Sequence, residues 1–398
     1  MSAEGVRGAL SDLRVIEMGS LIAGPFCGQL LGDMGAEVIK IEAPGEGDPM
    51  RQWGRGEPVW WEVIARNKKS VSLNLRADEG QALARRLIAD ADILVENFRP
   101  GMLERWGLSP ASLMEANPRL IVVRMSGYGQ DGPYAQRTAF GLIGEAMGGW
   151  RHIVGEPDRP ASRMGVSIGD SLAATYGCLG ALSALHHREK SGRGQIVDSA
   201  LYEAVLQVME ALIPEYTVAG VTRERSGAIL PGIAPSNVYP AKDGDYLIGA
   251  NQDAIFGRLC AAMGRPELAE DPRYATHVAR GERQGELDGL IGAWTATLTV
   301  EALEALLIEH GVPAGRVYRA PEMLTDPHFA ARDAIVTLPH PRWGEISMQN
   351  VFPKLSRTPG GVRALAPQTV GEHNAEILGD RLGLSEETLA RLARDGVV

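Results

Sequence analysis

The chain has 398 residues, a formal net charge of −10 and 44% hydrophobic residues, which is enough for a sizeable core and for two domains. The acidic balance argues against nucleic acid as a partner, and no run approaches the roughly 18 apolar residues that a membrane span needs. The three cysteines, Cys27, Cys178 and Cys260, are odd in number and far apart, which points to buried thiols in a reducing cytoplasm and to no metal site. The opening MSAEGVRGAL has no basic cluster before an apolar core, so no secretory leader is expected.

Taken in order, RVIEMG (14–19) reads as a short strand and GPFCGQLLGDMG (24–35) as a helix that Gly35 stops. EVIKIE (37–42) is a second strand. Residues 43–66 are rich in Gly and Pro, irregular, and carry Trp53, Trp60 and Trp61. SVSLNL (70–75) alternates as a strand does, and Leu83 and Leu87 mark an amphipathic helix over 78–90. ADILVENF (91–98) and LIVVRMSGYG (120–129) are buried strands. Strands alternating with helices predict a parallel sheet covered on both faces.

Further on, GVSIGDSLAATYG (165–177) leads into a helix over 171–187 that is rich in Ala, Gly and Ser. Its basic end, HHREKSGRG (186–194), suits a helix C-terminus. QIVDSALYEAVLQVMEAL (195–212) is the end of a strand and a long helix, and 214–236 is a loop-like linker. GDYLIGAN (244–251) opens a second α/β unit, with helices at about 253–263, 284–297 and 300–310. Strands are expected at 314–320 and within 333–352, and the tail from Gly371 reads as helical.

Several familiar sites are absent. No G-x-G-x-x-G follows the first strand, there is no G-x-x-x-x-G-K-[ST] phosphate loop, and there is no G-x-S-x-G elbow. Asp170, flanked by Gly169 and Ser171, stands at a helix start and has two readings. It is either a helix cap or a nucleophilic carboxylate at the mouth of a cleft. Polar residues cluster at four other strand ends, where open α/β sheets place their ligands: GSLIAGP (19–25), NKKSVSLNLR (67–76), ENFRPGMLERWG (96–107) and GYGQDGPYAQRTAFG (127–141).

In this order the segments resemble the class III CoA-transferases of the CaiB/BaiF type, the family of formyl-CoA transferase and carnitine CoA-transferase. The resemblance rests on AGPFCGQLLGDMGAEVIKIEAPGEGD (23–48), RNKKSVSLNLR (66–76), DILVENFRPGMLERWG (92–107), SGYGQDGPY (126–134), GDS (169–171), SGRGQIVDSALYEA (191–204) and GEHNAEIL (371–378). It implies an α/β fold with a Rossmann-like large domain built from both chain termini. Residues 1–220 and 325–398 would form that domain with its linkers, and 221–324 a smaller α/β domain. It also implies an interlocked homodimer in the cytoplasm, with no permanently bound cofactor. Acyl-CoA and a small carboxylic acid would be its substrates.

Carried over residue by residue, the resemblance makes Asp170 the nucleophile. Leu21, Ile22 and Ala23 would line the pantetheine, and Ala43 would lie near the adenine. Leu73, Asn74, Leu75 and Arg76 would cradle the nucleotide, Asn97, Phe98 and Arg99 would continue that wall, and Arg105 would bind phosphate. Arg137, Phe140, Gly141, Gly169 and Ser171 would form the acyl pocket. Phe140-Gly141 stands where many transferases carry Tyr-Asp or Tyr-Glu. The pattern leans toward succinyl-CoA and a dicarboxylate, with Arg51, Arg55, Arg66 and Arg137 as partners for a second carboxylate. Two alternatives are an α-methylacyl-CoA racemase and a non-catalytic CoA-binding protein. A racemase needs a His/Asp acid–base pair, and TAFGLIGEAMGG (138–149) holds no His.

Overall fold

The computed structural model describes residues 8–398; the first seven, and with them most of the leader reading, lie outside the described residues. The chain forms two compact units. One holds the chain up to Trp150, Met164–Ala211 and Ala330–Val398, and the other Arg151–Arg163 and Leu212–Phe329.

The first unit is built on six strands: β1 (Arg14–Glu17), β2 (Glu37–Glu42), β3 (Lys68–Ser72), β4 (Ile93–Glu96), β5 (Ile121–Ser126) and β6 (Ile196–Ala200). They pair in the order β3-β2-β1-β4-β5-β6, every pair parallel. This is the doubly wound order, whose direction of growth reverses between β1 and β4. Central strands of such a sheet are buried on both faces, and the period of two sends successive residues to opposite layers. Ile16, Ile39 and Leu94 meet Leu83 and Leu87 of helix α1 (Asp78–Ala89) together with Ile377 and Leu392 from the C-terminal segment. Val15, Val38 and Val95 face Cys27 and Leu31 of the helix Ala23–Asp33, and Ala174 and Ala181 of the helix Ile168–Ser191. Each large aliphatic side chain buried this way contributes about 1.5–3 kcal/mol.

The small residues of the helix Ile168–Ser191 let it lie close to the sheet. Ala173, Ala174, Ala181 and Ala184 are fully buried. This helix starts at Ile168, three residues earlier than expected, with Ser167 as its cap. Asp170 therefore stands in the first turn, not at the cap. The stretch 195–212, read as a strand end and one long helix, leads instead through two helices, Leu201–Leu206 and Leu212–Ala219. The second of these occupies part of the stretch read as loop. Between them Glu210 takes a left-handed φ of 52°.

The second unit carries an antiparallel sheet of Ser236–Pro240, Asp245–Gly249 and Ala314–Arg316. Helices Asp253–Ala262, Gln284–Thr295 and Val300–Glu309 cover it, close to their expected bounds. Arg280, fully buried, ties its loops together by donating to the carbonyls of Ala234, Tyr274 and Asn251. Among the described residues no single helix is long and apolar enough to cross a membrane.

Candidate active site

In an open parallel sheet the crevice forms at the carboxyl ends of the strands, where the winding direction reverses. Here that place is flanked by the exits of β1 and β4. Asn97, just after β4, accepts from the Ser20 N–H through Oδ1 at 2.8 Å and donates from Nδ2 to the Ser20 carbonyl at 2.9 Å. One amide thus satisfies both polar groups of a residue in the turn after β1. At Leu21 that turn has a φ of 63°, in the left-handed region that L-residues disfavour.

A cavity of about 430 Å³ opens beside this turn. Gly19 and Ser20 line it from the exit of β1, Ala43 and Asp48 from that of β2, and Leu73, Asn74, Leu75 and Arg76 from that of β3. Phe98 and Trp106 form an aromatic corner on the β4 side, ring centroids 5.0 Å apart and edge to face. Gly396 closes the wall from the C-terminal segment.

Six residues expected around CoA therefore share one cavity: Ala43, Leu73, Asn74, Leu75, Arg76 and Phe98. Leu21, Ile22, Ala23 and Asn97 belong to the turn and its anchor rather than to the lining. Arg99 and Arg105 are exposed outside the lining. Arg99 donates to the Gln136 carbonyl at 2.6 Å, and Arg105 lies 3.4 Å from the Met102 sulfur.

The cations around β3 turn out differently from expectation. Lys68 is buried against Glu17 at 2.7 Å, and Lys69 reaches Glu37 and Glu376. Arg51 forks onto Glu42 with contacts of 2.7 and 2.8 Å and lies over the Trp61 ring. Arg66 forks onto Asp33. These four serve internal ion pairs, because a buried charge without a partner is too costly to keep, and none lines the cavity. Arg76 is the exposed cation on its wall.

Burial pushes the Glu42 carboxyl up, but the hydrogen bond from Arg51 and the charge of Lys40 outweigh it and hold Glu42 below its ordinary range. Burial likewise opposes, and Lys40 overcomes, the ionisation of Asp48. Both wall carboxylates are thus charged and paired. Sequence reading missed Lys40, Asp48 and Trp106 as cavity residues. For Lys40 a signal was present: a lysine between the apolar residues of EVIKIE needs an anionic partner once that strand is buried.

The helix Ile168–Ser191 lies in the crossover from β5 to β6. In a right-handed βαβ unit such a helix runs antiparallel to the strands, so its first turn lies at the sheet's carboxyl edge, the same edge as the cavity. There Asp170 is half-buried, and its carboxylate lies directly on Gly141, the first residue of helix α2 (Gly141–Met147). A Cβ on Gly141 would stand 2.0 Å from Asp170 Oδ2. Gly169 makes the reciprocal approach, its missing Cβ 2.9 Å from the Gly141 carbonyl.

Phe140 is 61% exposed. Arg137 is also exposed, its guanidinium 3.6 Å above the Tyr134 ring. Ser171 was expected in the acyl pocket. Its N–H and its hydroxyl both donate to the Ser167 carbonyl, at 3.1 and 2.9 Å. Among the described residues no group of three or more His, Cys, Asp or Glu is arranged to hold a metal ion.

The family model described as CoA-transferase family III matches residues 10–374. The chain is 58% identical to a succinyl-CoA–D-citramalate CoA-transferase from Chloroflexus aurantiacus, over all of both chains. It is 40% identical to the beta subunit of a succinyl-CoA–L-malate CoA-transferase from the same organism, over 98% of each. A crystal structure of a CaiB/BaiF family protein from Brucella suis superposes with a TM-score of 0.84 at 34% identity, over 94% of this chain and 99% of that one. Fold, crevice and relatives together define an enzyme that handles CoA thioesters. The chain belongs to CoA-transferase family III.

Proposed function

We propose that this enzyme moves CoA from succinyl-CoA to a dicarboxylate, with Asp170 as the covalent nucleophile. One carboxylate oxygen of Asp170 attacks the thioester carbonyl. The C–S bond breaks, CoA thiolate leaves, and an aspartyl-acyl anhydride remains. The thiolate then attacks the aspartyl carbonyl, which releases succinate and leaves an aspartyl-CoA thioester. The acceptor carboxylate attacks that thioester, expelling the thiolate. Attack of the thiolate on the acceptor's own carbonyl forms the new acyl-CoA and frees Asp170.

The observation that carries this reading is the seat of Asp170: a half-buried carboxylate at the sheet's carboxyl edge, laid on a residue without a side chain. Positioning is where the rate gain arises, since well-oriented neighbours reach effective molarities on the order of 10⁵–10⁸ M. With Ser171 engaged inside its helix, the Gly169 N–H is the donor assigned to the developing oxyanion.

In the cavity, Ala43 and the segment Leu73–Arg76 take the nucleotide, with Arg76 toward phosphate and Arg105 reaching it from outside the lining, because a guanidinium fork matches phosphate oxygens. Phe98 and Arg99 extend that wall. Leu21, Ile22 and Ala23, held by Asn97 through Ser20, take the pantetheine and thioester end. Arg137 and the exposed Phe140 face the acyl group. The choice of donor and acceptor rests on the two Chloroflexus relatives, whose names give succinyl-CoA with D-citramalate and with L-malate. The active form is an interlocked homodimer.

The test is mass spectrometry of protein mixed with succinyl-CoA and quenched with hydroxylamine. A hydroxamate on Asp170 is expected. Asp170→Ala should abolish transfer while CoA still binds. Turnover in that variant, or a wild-type enzyme that never forms the adduct, refutes the mechanism. A panel of acceptor acids decides the substrate class: transfer to monocarboxylates alone overturns the dicarboxylate assignment.

A further inference from the structure

A buried ion pair stands in the cavity wall beside the exit of β1. Lys40 on β2 stands opposite Glu17 on β1 in the sheet register and is 1% exposed. Its ammonium reaches Glu17 Oε1 at 2.9 Å, Asp48 Oδ2 at 2.8 Å and the Gly19 carbonyl at 2.8 Å. The contacts with Glu17 and Gly19 are hydrogen bonds, and the one with Asp48 is an ion-pair contact. Asp48 Oδ1 in turn accepts from the Leu21 N–H at 3.1 Å and from the Met50 N–H at 2.9 Å. The Asp48 backbone N–H is tied to Glu42 at 2.9 Å.

Two points of the turn after β1 are therefore gripped by one ion pair. Lys40 holds the carbonyl of Gly19 and Asp48 holds the N–H of Leu21. Between them Asn97 takes both polar groups of Ser20. The turn needs such a grip, because Leu21 sits in a left-handed conformation that persists only where the surroundings over-determine it. A sheet does not need this arrangement for stability. Replacing a buried ion pair by apolar residues is often neutral or stabilising. What the charges do here, and apolar side chains cannot, is hold backbone groups of the turn that faces the cavity.

We propose that Lys40 and Asp48 are a positioning pair for the transferase reaction. They fix the Ser20–Ile22 turn so that the thioester end of the acyl-CoA is presented to Asp170 in one geometry. This rests on the assignment of the cavity to CoA. The nucleotide end is held by other residues, Leu73–Arg76 and Phe98, so loosening the turn should lower turnover and leave CoA affinity alone.

The experiment pairs Asp48→Asn with Arg76→Ala. An Asn at this position cannot serve both sides. With its oxygen toward Leu21 its NH₂ faces the Lys40 ammonium, and flipped it presents NH₂ to two backbone donors. We expect Asp48→Asn to lower kcat by tenfold or more, in line with the ~10²-fold cost of a 1 Å misplacement, with CoA Kd within threefold of wild type. Hydrogen exchange of the peptide covering residues 18–24 should be at least tenfold faster than in the wild-type enzyme.

In wild type that peptide should be protected like β1 itself, a measurement that stands even if the variant fails to fold. Loop-like exchange there in wild type overturns the proposal. So does a folded Asp48→Asn enzyme with full kcat, or one that loses only CoA affinity. Arg76→Ala separates the two ideas. If it weakens CoA binding while Asp48→Asn turns over normally, the cavity assignment stands and the positioning role falls. If Arg76→Ala leaves CoA binding untouched, the cavity assignment fails and takes the positioning role with it.

Discussion

Gly141→Ala is the sharpest probe of the nucleophile's seat. The new methyl carbon would stand 2.0 Å from Asp170 Oδ2 and 2.8 Å from its Cγ. Carbon and oxygen atoms in ordinary contact keep about 3.5 Å, so the carboxylate must retreat by more than ~1 Å. The clashing atoms are the far end of a side chain, so Asp170 can respond by side-chain rotation without a backbone shift. The substitution is otherwise benign, since Ala is about 1 kcal/mol better than Gly within a helix. Fold and melting temperature should therefore change little.

Catalysis should not escape so lightly. A displacement of this size costs roughly 10²-fold in rate when the displaced group is the attacking atom. Steady-state assays with succinyl-CoA should show kcat reduced about 10²-fold, CoA Kd by calorimetry unchanged, and hydroxamate trapping on Asp170 slowed in parallel with kcat. A Gly141→Ala enzyme with kcat within threefold of wild type would refute the claim that this contact sets the carboxylate's position.

Two further predictions concern stability. Burial pushes the Glu96 carboxyl up to about 7 despite the hydrogen bond and charge of Arg124. A carboxyl raised in the folded state stabilises fully below its ordinary value and loses that contribution as pH climbs to about 7. Thermal melts from pH 5 to 7.5 should thus show Glu96→Gln gaining on wild type as pH rises; parallel profiles would exclude the effect. In the second unit, Arg280→Met strips the buried carbonyls of Ala234 and Tyr274 and the half-buried one of Asn251 of their donor and should cost roughly 3–5 kcal/mol. Urea titration of the full chain checks this, and a loss below about 1 kcal/mol would show that the loops relax around the gap.

What could be read from the sequence divides along physical lines. The strands of the first unit were legible because RVIEMG, EVIKIE and ILVE are short, mostly apolar runs, and the charges buried within them, Glu17, Lys40, Glu42 and Glu96, are few enough to leave that pattern visible. The helices of the second unit were legible from their apolar period. The break at Glu210 was not, since QVMEAL contains no Gly or Pro to announce it. The charged residues misled for a different reason. Lys69 finds one of its partners 307 positions away in Glu376, and Arg66 finds Asp33 across 33. Cations destined for remote carboxylates look, in a linear string, the same as cations waiting for a ligand. Lys40 shows the converse: a charge inside a buried strand implies an unseen partner, but not which one.

Ile377 and Leu392 cover the layer of the sheet that begins with Ile16, and Gly396 stands in the cavity wall. During synthesis, then, the layer that Leu83 and Leu87 begin to cover is completed only when residues some three hundred positions further on arrive. A ribosome-bound chain lacking this last segment has an unfinished pocket and an oily surface open to chaperones.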